Sequence, residues 1–165
     1  MATKATKTIP EGMQALTTEL WFNGNCNDAI EFYKTNFNAK VQGNVDYAPD
    51  RKVIHALLSF NGSNIMAADI SAMGGSSFEK GPEEFTTASL YLYVDDADAM
   101  FKRAINAGCR SLMPVLDAFW GDRTGQLRDP FGHVWTIATH KVDMTPEEMK
   151  QRENEWLEQH HGVIQ

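Results

Sequence analysis

Ser89 to Gly108, SLYLYVDDADAMFKRAINAG, is the stretch on which the reading of the whole chain turns. Leu90, Leu92 and Val94 alternate with Ser89, Tyr91 and Tyr93, the rhythm of a strand with one buried face. Asp95-Asp96 breaks the strand, and a helix from about Ala97 to Ala107 ends before Gly108. The same order stands earlier in the chain. Laid over TELWFNGNCNDAIEFYKTNF, Thr18 to Phe37, the stretch runs without a gap, with Thr18 on Ser89, Leu20 on Tyr91, Phe22 on Tyr93, Asn25 on Asp96 and Ile30 on Phe101. In that first copy the strand begins at Leu16 and Asn23-Gly24-Asn25 ends it. Asn25 or Asn27 caps the helix, and Ala29, Ile30, Phe32, Tyr33 and Phe37 give it one apolar face.

Each strand and helix is followed by further strand-like runs. In the first half they are Lys40 to Asp46, Val53 to Phe60 and Ser63 to Ile70, with Asn61-Gly62 as a hairpin turn whose two residues need positive φ. In the second half they are Ser111 to Leu116, Arg123 to Arg128 and His133 to Thr139, the last two joined by Asp129-Pro130-Phe131-Gly132. The loop Ser71 to Glu84, rich in glycine and carrying Met73 and Phe78, divides the halves and is a candidate lid. The expected class is α+β, two tandem βαβββ modules. A loose arm covers residues 1–14, the modules cover 15–70 and 85–141 around the 71–84 loop, and a C-terminal helix covers 142–165. Thr145-Pro146-Glu147-Glu148 is a capping box that opens this helix, which runs to about His160.

Composition narrows the function. A chain of 165 residues with 42% hydrophobic and 22% charged residues is one ordinary domain or two small modules sharing a core. A formal charge of -7 has the wrong sign for a phosphate-backbone binder, so no nucleic-acid partner is expected. No run of about 18 apolar residues is present for a bilayer span, and the lysines near the start precede no apolar stretch, so the expected place is the cytoplasm. Cys26 and Cys109 are read as free thiols in a reducing compartment, although Cys26, close to a helix start, is also a candidate reactive cysteine.

Four stretches carry a family resemblance: Trp21 to Lys34, Val53 to Gly62, Ser89 to Phe101 and, most specific, FWGDRTGQLRDPFGHVWTIATHK from Phe119 to Lys141. The chain resembles the PhnB-like branch of the vicinal oxygen chelate superfamily, which includes glyoxalase I, extradiol dioxygenases and bleomycin resistance proteins. The resemblance implies curved sheets that close into a cup, within one chain or across a domain-swapped homodimer. In metal-dependent relatives four side chains of the cup hold one divalent ion. Those positions fall on Thr18 and Ala67 in the first module and Ser89 and Thr136 in the second, where no imidazole or carboxylate stands. No metal and no cofactor are therefore expected. The methyltransferase label sometimes attached to this branch has no support, because no glycine-rich cofactor loop follows a strand.

Strand alternation supplies the candidate site. Ser89, Tyr91 and Tyr93 face the cup if Leu90, Leu92 and Val94 face the helix, and the same parity sends Thr18, Leu20 and Phe22 inward, leaving Glu19 awkwardly on the helix side. Pairing Arg128 with His133 points Arg123 into the cup, where a guanidinium suits an anionic oxygen; the competing reading is an ion pair with Asp122, Asp117 or Asp129. Trp120 is either a stacking wall or a core plug, and the two tyrosines are either cavity wall or ordinary strand aromatics. Among the histidines, His133 caps backbone, His140 ends a strand, and His160 and His161 are solvated. His55 interrupts an apolar strand and is the candidate acid/base, against a structural reading in which a two-residue hairpin pairs it with Ala68, off the face of Ala67.

The expected function is therefore binding of a small organic molecule in the cup, with lyase or isomerase chemistry, if any, by proton transfer without the usual metal. The alternative is a metal-free protein that sequesters a drug, as bleomycin resistance proteins do.

Overall fold

The computed structural model describes residues 8–10, 13–73 and 88–160. The N-terminal arm and the candidate lid with Phe78 lie largely outside these residues, as does His161. The chain divides into two compact units, Met1–Lys80 and Gly81–Gln165.

The first unit holds β1 (Thr18–Phe22), α1 (Cys26–Asn36), β2 (Lys40–Tyr47), β3 (Val53–Phe60), β4 (Ser63–Asp69) and a 3-10 turn at Ile70–Met73. The sheet order is β1-β4-β3-β2, with β1 parallel to β4 and the other pairs antiparallel. Phe60 pairs with Ser63 across Asn61 (φ 48°) and Gly62 (φ 89°), the tight two-residue hairpin that this dipeptide favours. Ala56, Leu58 and Phe60 are buried under α1, where Tyr33 lies with its ring 5.9 Å from Phe60 and 6.5 Å from Phe22.

The second unit holds β5 (Leu90–Tyr93), α2 (Ala97–Asn106), β6 (Arg110–Asp117), β7 (Asp122–Arg128), β8 (Val134–His140) and α3 (Pro146–His160). Its order, β5-β8-β7-β6, repeats the first, again with one parallel pair, β5 with β8. Helix α2 packs on β6, β7 and β8. It comes close because Gly125 has no side chain: a Cβ there would lie 2.9 Å from both Phe101 of α2 and Val115 of β6. The capping box of α3 forms as a reciprocal pair, with Thr145 N–H donating to Glu148 at 2.9 Å and Glu148 N–H to Thr145 Oγ1 at 3.3 Å.

Two registers differ from the sequence expectation, each by one residue. Arg128 pairs with Val134, not His133, so Arg123 stands opposite Thr139. The cause is Asp129. Its Oδ1 accepts the N–H groups of Phe131 and His133 at 3.0 and 2.9 Å, and its Oδ2 accepts Trp135 Nε1–H at 2.9 Å. This draws His133 into the turn, which closes through Asp129 N–H to the His133 carbonyl at 2.9 Å.

The second slip lies between the modules. Phe22 stands opposite Asp69, whereas in the second unit Tyr93 pairs with Ala138 and Val94 N–H donates to the Ala138 carbonyl. Three residues, Asn23 to Asn25, link β1 to α1; three also stand between β5 and α2, but the first of them, Val94, still bonds the sheet, which leaves two, Asp95 and Asp96, as the link. The first connection is longer by one, so the gapless superposition fails just where strand parity is decided. Leu20 and Phe22 consequently face α1, and Glu19 and Trp21 take the other side.

The helix starts are also secured differently from the expectation. Asn25 stands at the N-cap position of α1 but makes no side-chain capping bond. Asp69, at the end of β4 and 1% exposed, does the work: Oδ1 accepts the N–H groups of Gly24 and Cys26 at 2.8 and 3.1 Å, and Oδ2 accepts that of Val53 at 2.9 Å. In the second unit Asp96 accepts Ala99 N–H, and Thr139 Oγ1 both accepts Ala97 N–H and donates to the Val94 carbonyl.

Candidate functional site

Residues 122, 124 and 126 of β7, 136, 138 and 140 of β8, and Tyr91 and Tyr93 of β5 share the face of the second sheet that α2 does not cover. At the end of that face lies Asp122, only 2% exposed. Four side chains converge on its carboxylate. Tyr91 Oη–H, Tyr93 Oη–H and Trp120 Nε1–H donate to Oδ2 at 2.9, 2.8 and 3.1 Å, and His140 Nδ1 lies 2.8 Å from Oδ1. Gly121, at φ 92° and in a place where a Cβ would collide with the Val142 carbonyl oxygen, sets the backbone between Trp120 and Asp122.

The electrostatics follow from this geometry. Burial works against the charge on Asp122, but the hydrogen bonds from His140, Tyr93, Tyr91 and Trp120 outweigh it and hold the carboxyl below its ordinary value. The bond to Asp122 pushes the Tyr93 hydroxyl well up, so it stays protonated and keeps donating. His140 is raised by its bonds to Asp122 and to Asp143, whose Oδ1 lies 3.0 Å from Nε2. The aromatic surfaces remain available: Tyr91, Tyr93 and Trp120 are 46%, 52% and 37% exposed, and the tyrosine rings stand 5.1 Å apart at a 42° tilt. Trp120 is held edge-on to Phe119, which in turn meets Trp156 of α3 at 5.7 Å.

A pH dependence of stability follows, with two signs. Asp122, depressed when folded, stabilises above its ordinary value of 3.8 and loses that contribution as pH falls through its folded pKa. His140, raised when folded, stabilises below its ordinary 6.5 and loses that contribution as pH rises through its folded pKa. The Tm difference between the native chain and His140→Gln is expected to be greatest between these ordinary values, about pH 4 to 6.5, and to shrink on both sides. A difference that is flat from pH 3 to 9 would contradict the ion pair.

The structure thus brings Tyr91, Tyr93 and Trp120 together; of the other candidates, Arg123 lies on the opposite face of the same sheet, and Phe22 and His55 belong to the first unit. Arg123 does not face this site. The register turns it to the helix side, where Nε and Nη2 each bond Asp98 of α2 at 2.8 Å and Nη1 reaches Asp117 at 3.4 Å. Phe22 is 3% exposed beneath α1 in the first unit, so it offers no surface to a ligand. His55, half-buried, lies on the side of the first sheet away from α1. Ala67, which pairs with Leu20 and Ala56, is the residue under the helix, so the parity argument against His55 reverses. Beside it on that side stand Trp21 and Leu57, with Asp46 opposite on β2.

Of the metal-ligand positions expected from the resemblance, Thr18 and Ala67 follow the helix side, while Thr136 lies, buried, on the face that α2 does not cover. Among the described residues no group of three or more His, Cys, Asp or Glu side chains could hold a metal ion. Cys26 and Cys109 are buried, their thiols pushed up to about 12 by burial and by Asp69 and Asp129 respectively, which removes them as nucleophiles.

From the sequence Asp122 is legible only as a partner for Arg123 and His140 only as a strand end; with the turn one residue longer, the even spacing of 122, 124 and 126 places both on the face of the two tyrosines.

The family model of the Glyoxalase/Bleomycin resistance protein/Dioxygenase superfamily matches residues 19–137. The chain belongs to this superfamily. An uncharacterised protein of Mycobacterium tuberculosis (strain H37Rv) is 39% identical over 124 residues, covering 74% of this chain and 72% of the relative. An uncharacterised protein of Arabidopsis thaliana is 31% identical over 127 residues, covering 73% and 75%. Among solved structures, a Bacillus cereus protein described as a putative 3-demethylubiquinone-9 3-methyltransferase, PhnB protein, aligns with a TM-score of 0.60 at 25% identity, over 76% of this chain and 99% of its own. TioX from Micromonospora sp. ML1 aligns with a TM-score of 0.59 at 24% identity, over 80% and 100%, and shares the fold. Within the superfamily fold, each βαβββ unit of this chain presents one helix-free sheet face, and that of the second unit carries the aromatic cluster on Asp122. No helix among the described residues is long and apolar enough to cross a membrane.

Proposed function

We propose that this protein binds a small, planar organic molecule, neutral or cationic, on the open face of the second module. The observation that carries this reading is the buried Asp122 carboxylate holding three aromatic side chains by their polar ends while their rings stay exposed. Rings fixed in this way stack on a flat ligand with little loss of side-chain entropy. Phenols that donate to a carboxylate are electron-rich, which favours a cation over the ring face. The one arginine considered as an anion clamp is already neutralised by Asp98 and Asp117, which weighs against an anionic ligand and toward the sequestration reading. In this reading the site is completed by a cup that closes in a homodimer, and the protein works in the cytoplasm.

The test uses the acridine cation proflavine and the anion 1-anilinonaphthalene-8-sulfonate as probes in titration calorimetry. Proflavine should bind at least about tenfold more tightly than the anion, and Tyr91→Ala/Tyr93→Ala should weaken it at least about tenfold, a difference of about 1.4 kcal/mol. Equal binding of proflavine by the double variant would refute the site.

A further inference from the structure

We propose that Asp122 and His140 form a general-base dyad, in which His140 Nε2 takes a proton from a carbon acid bound over Tyr91 and Tyr93. This rests on the open-face site argued above and gives that site a reaction. The geometry assigns the protons. Oδ1 of Asp122 is a buried carboxylate oxygen and can only accept, so His140 Nδ1, 2.8 Å away, must be the donor. The neutral imidazole is therefore the Nδ1–H tautomer, with the Nε2 lone pair directed outward. Three further donors fix the other oxygen of Asp122, so the group that orients the ring cannot turn away from it.

The 3.0 Å contact between Nε2 and Asp143 requires a proton on Nε2, and so describes the imidazolium. Asp143 is fully exposed and is free to leave when that proton is lost. The ionisable groups around His140 are Asp122 from β7, Asp143 from the segment after β8 and, through Asp122, Tyr91 and Tyr93 of β5. In this arrangement His140 is the catalytic residue and Asp122 the positioning residue. The substrate class is a carbon acid whose conjugate base delocalises its own charge. The C–H electron pair stays on the substrate, the proton passes to Nε2, and its return to a different carbon or face completes an isomerisation.

The probe is 5-nitrobenzisoxazole, which a base opens in one step. Nε2 takes the C3 proton, the C–H pair becomes the third bond of a nitrile, and the N–O bond breaks to leave a coloured phenolate. Binding is measured first, by tryptophan quenching, and the rate second. The native protein should accelerate ring opening at least about 100-fold over imidazole at equal concentration, with a rate that rises with pH to a plateau. His140→Gln should bind the probe as before and fall to the background rate. Asp122→Asn should lose about tenfold and move the pH midpoint downward. Long-range 1H–15N NMR of the native protein, which needs no variant, should find the Nδ1–H tautomer at high pH.

Probe bound without acceleration, acceleration retained in His140→Gln, or an Nε2–H tautomer would each overturn the dyad and leave the binding site standing. Failure of the probe to bind together with failure of the calorimetric test would overturn both.

Discussion

Asp69→Ala is expected to destabilise the fold by about 4 kcal/mol, as read from unfolding in urea. Three backbone N–H groups, those of Gly24, Cys26 and Val53, donate to this one buried carboxylate. Removing it leaves all three without an acceptor beneath the start of α1. A buried unsatisfied donor costs about 1–3 kcal/mol, and water entering the vacated volume recovers part of the sum. The helix start suffers in a second way, since Asn25 makes no capping bond that could take over. Asp69→Asn keeps one oxygen in place, though its amide must then face N–H donors, and should cost about half as much. A loss below about 1.5 kcal/mol for Asp69→Ala would show that another group secures the junction of β1, α1 and β3.

Gly121→Ala should cost about 3 kcal/mol or more and abolish proflavine binding. Two effects combine there. At φ 92° an L side chain is strained by about 1–2 kcal/mol. The new Cβ would also collide with the Val142 carbonyl oxygen and lie 2.9 Å from Met144 Cε. Relief requires the backbone at 141–142 to move, and that backbone is tied to Gly121 by hydrogen bonds from Lys141 and Val142 N–H at 2.9 and 3.1 Å. Because Gly121 stands between Trp120 and Asp122, the displacement passes straight into the aromatic cluster. Gly62→Ala is the control, with the same sign of φ at 89° but nothing within 4 Å of the new Cβ. It should show the strain alone, about 1 kcal/mol, with binding intact. Equal losses in the two variants would remove the collision from the account.

What could be read in the sequence and what could not divides along a physical line. The order of elements was legible because each signal is local: Asn61-Gly62 can form its turn whatever surrounds it, Thr145 and Glu148 cap each other, and the alternation of Leu90, Leu92 and Val94 fixes one face of β5. Tyr91, Tyr93 and Trp120 could be placed at the candidate site for the same reason. The misplacements of Arg123 and Phe22 come from a property of strands, in which an error of one residue exchanges the two faces. Neither error was visible in the strand itself. For Arg123 it lay in the side chain of Asp129, which lengthens a turn, and for Phe22 in the link before α1, one residue longer than the link before α2 once Val94 is counted with its sheet. Asp122 was harder still, because its role depends on donors from β5, β8 and the loop before β7: spacing puts it on their face once the length of the turn is known, but does not announce that they meet on one carboxylate.

The extra residue before α1 bears on how such a duplicated chain can diverge. Point substitutions alter a sheet wall one side chain at a time, and each exchange of a buried for an exposed residue must be tolerated singly. A single-codon insertion between strand and helix instead turns the whole of β1 over at once. It sends Leu20 and Phe22 beneath the helix and brings Glu19 and Trp21 out, while α1 keeps its place on the sheet. In this way one copy of a repeated module can receive a wholly different lining from its sibling in one event, with the packing of its helix left intact.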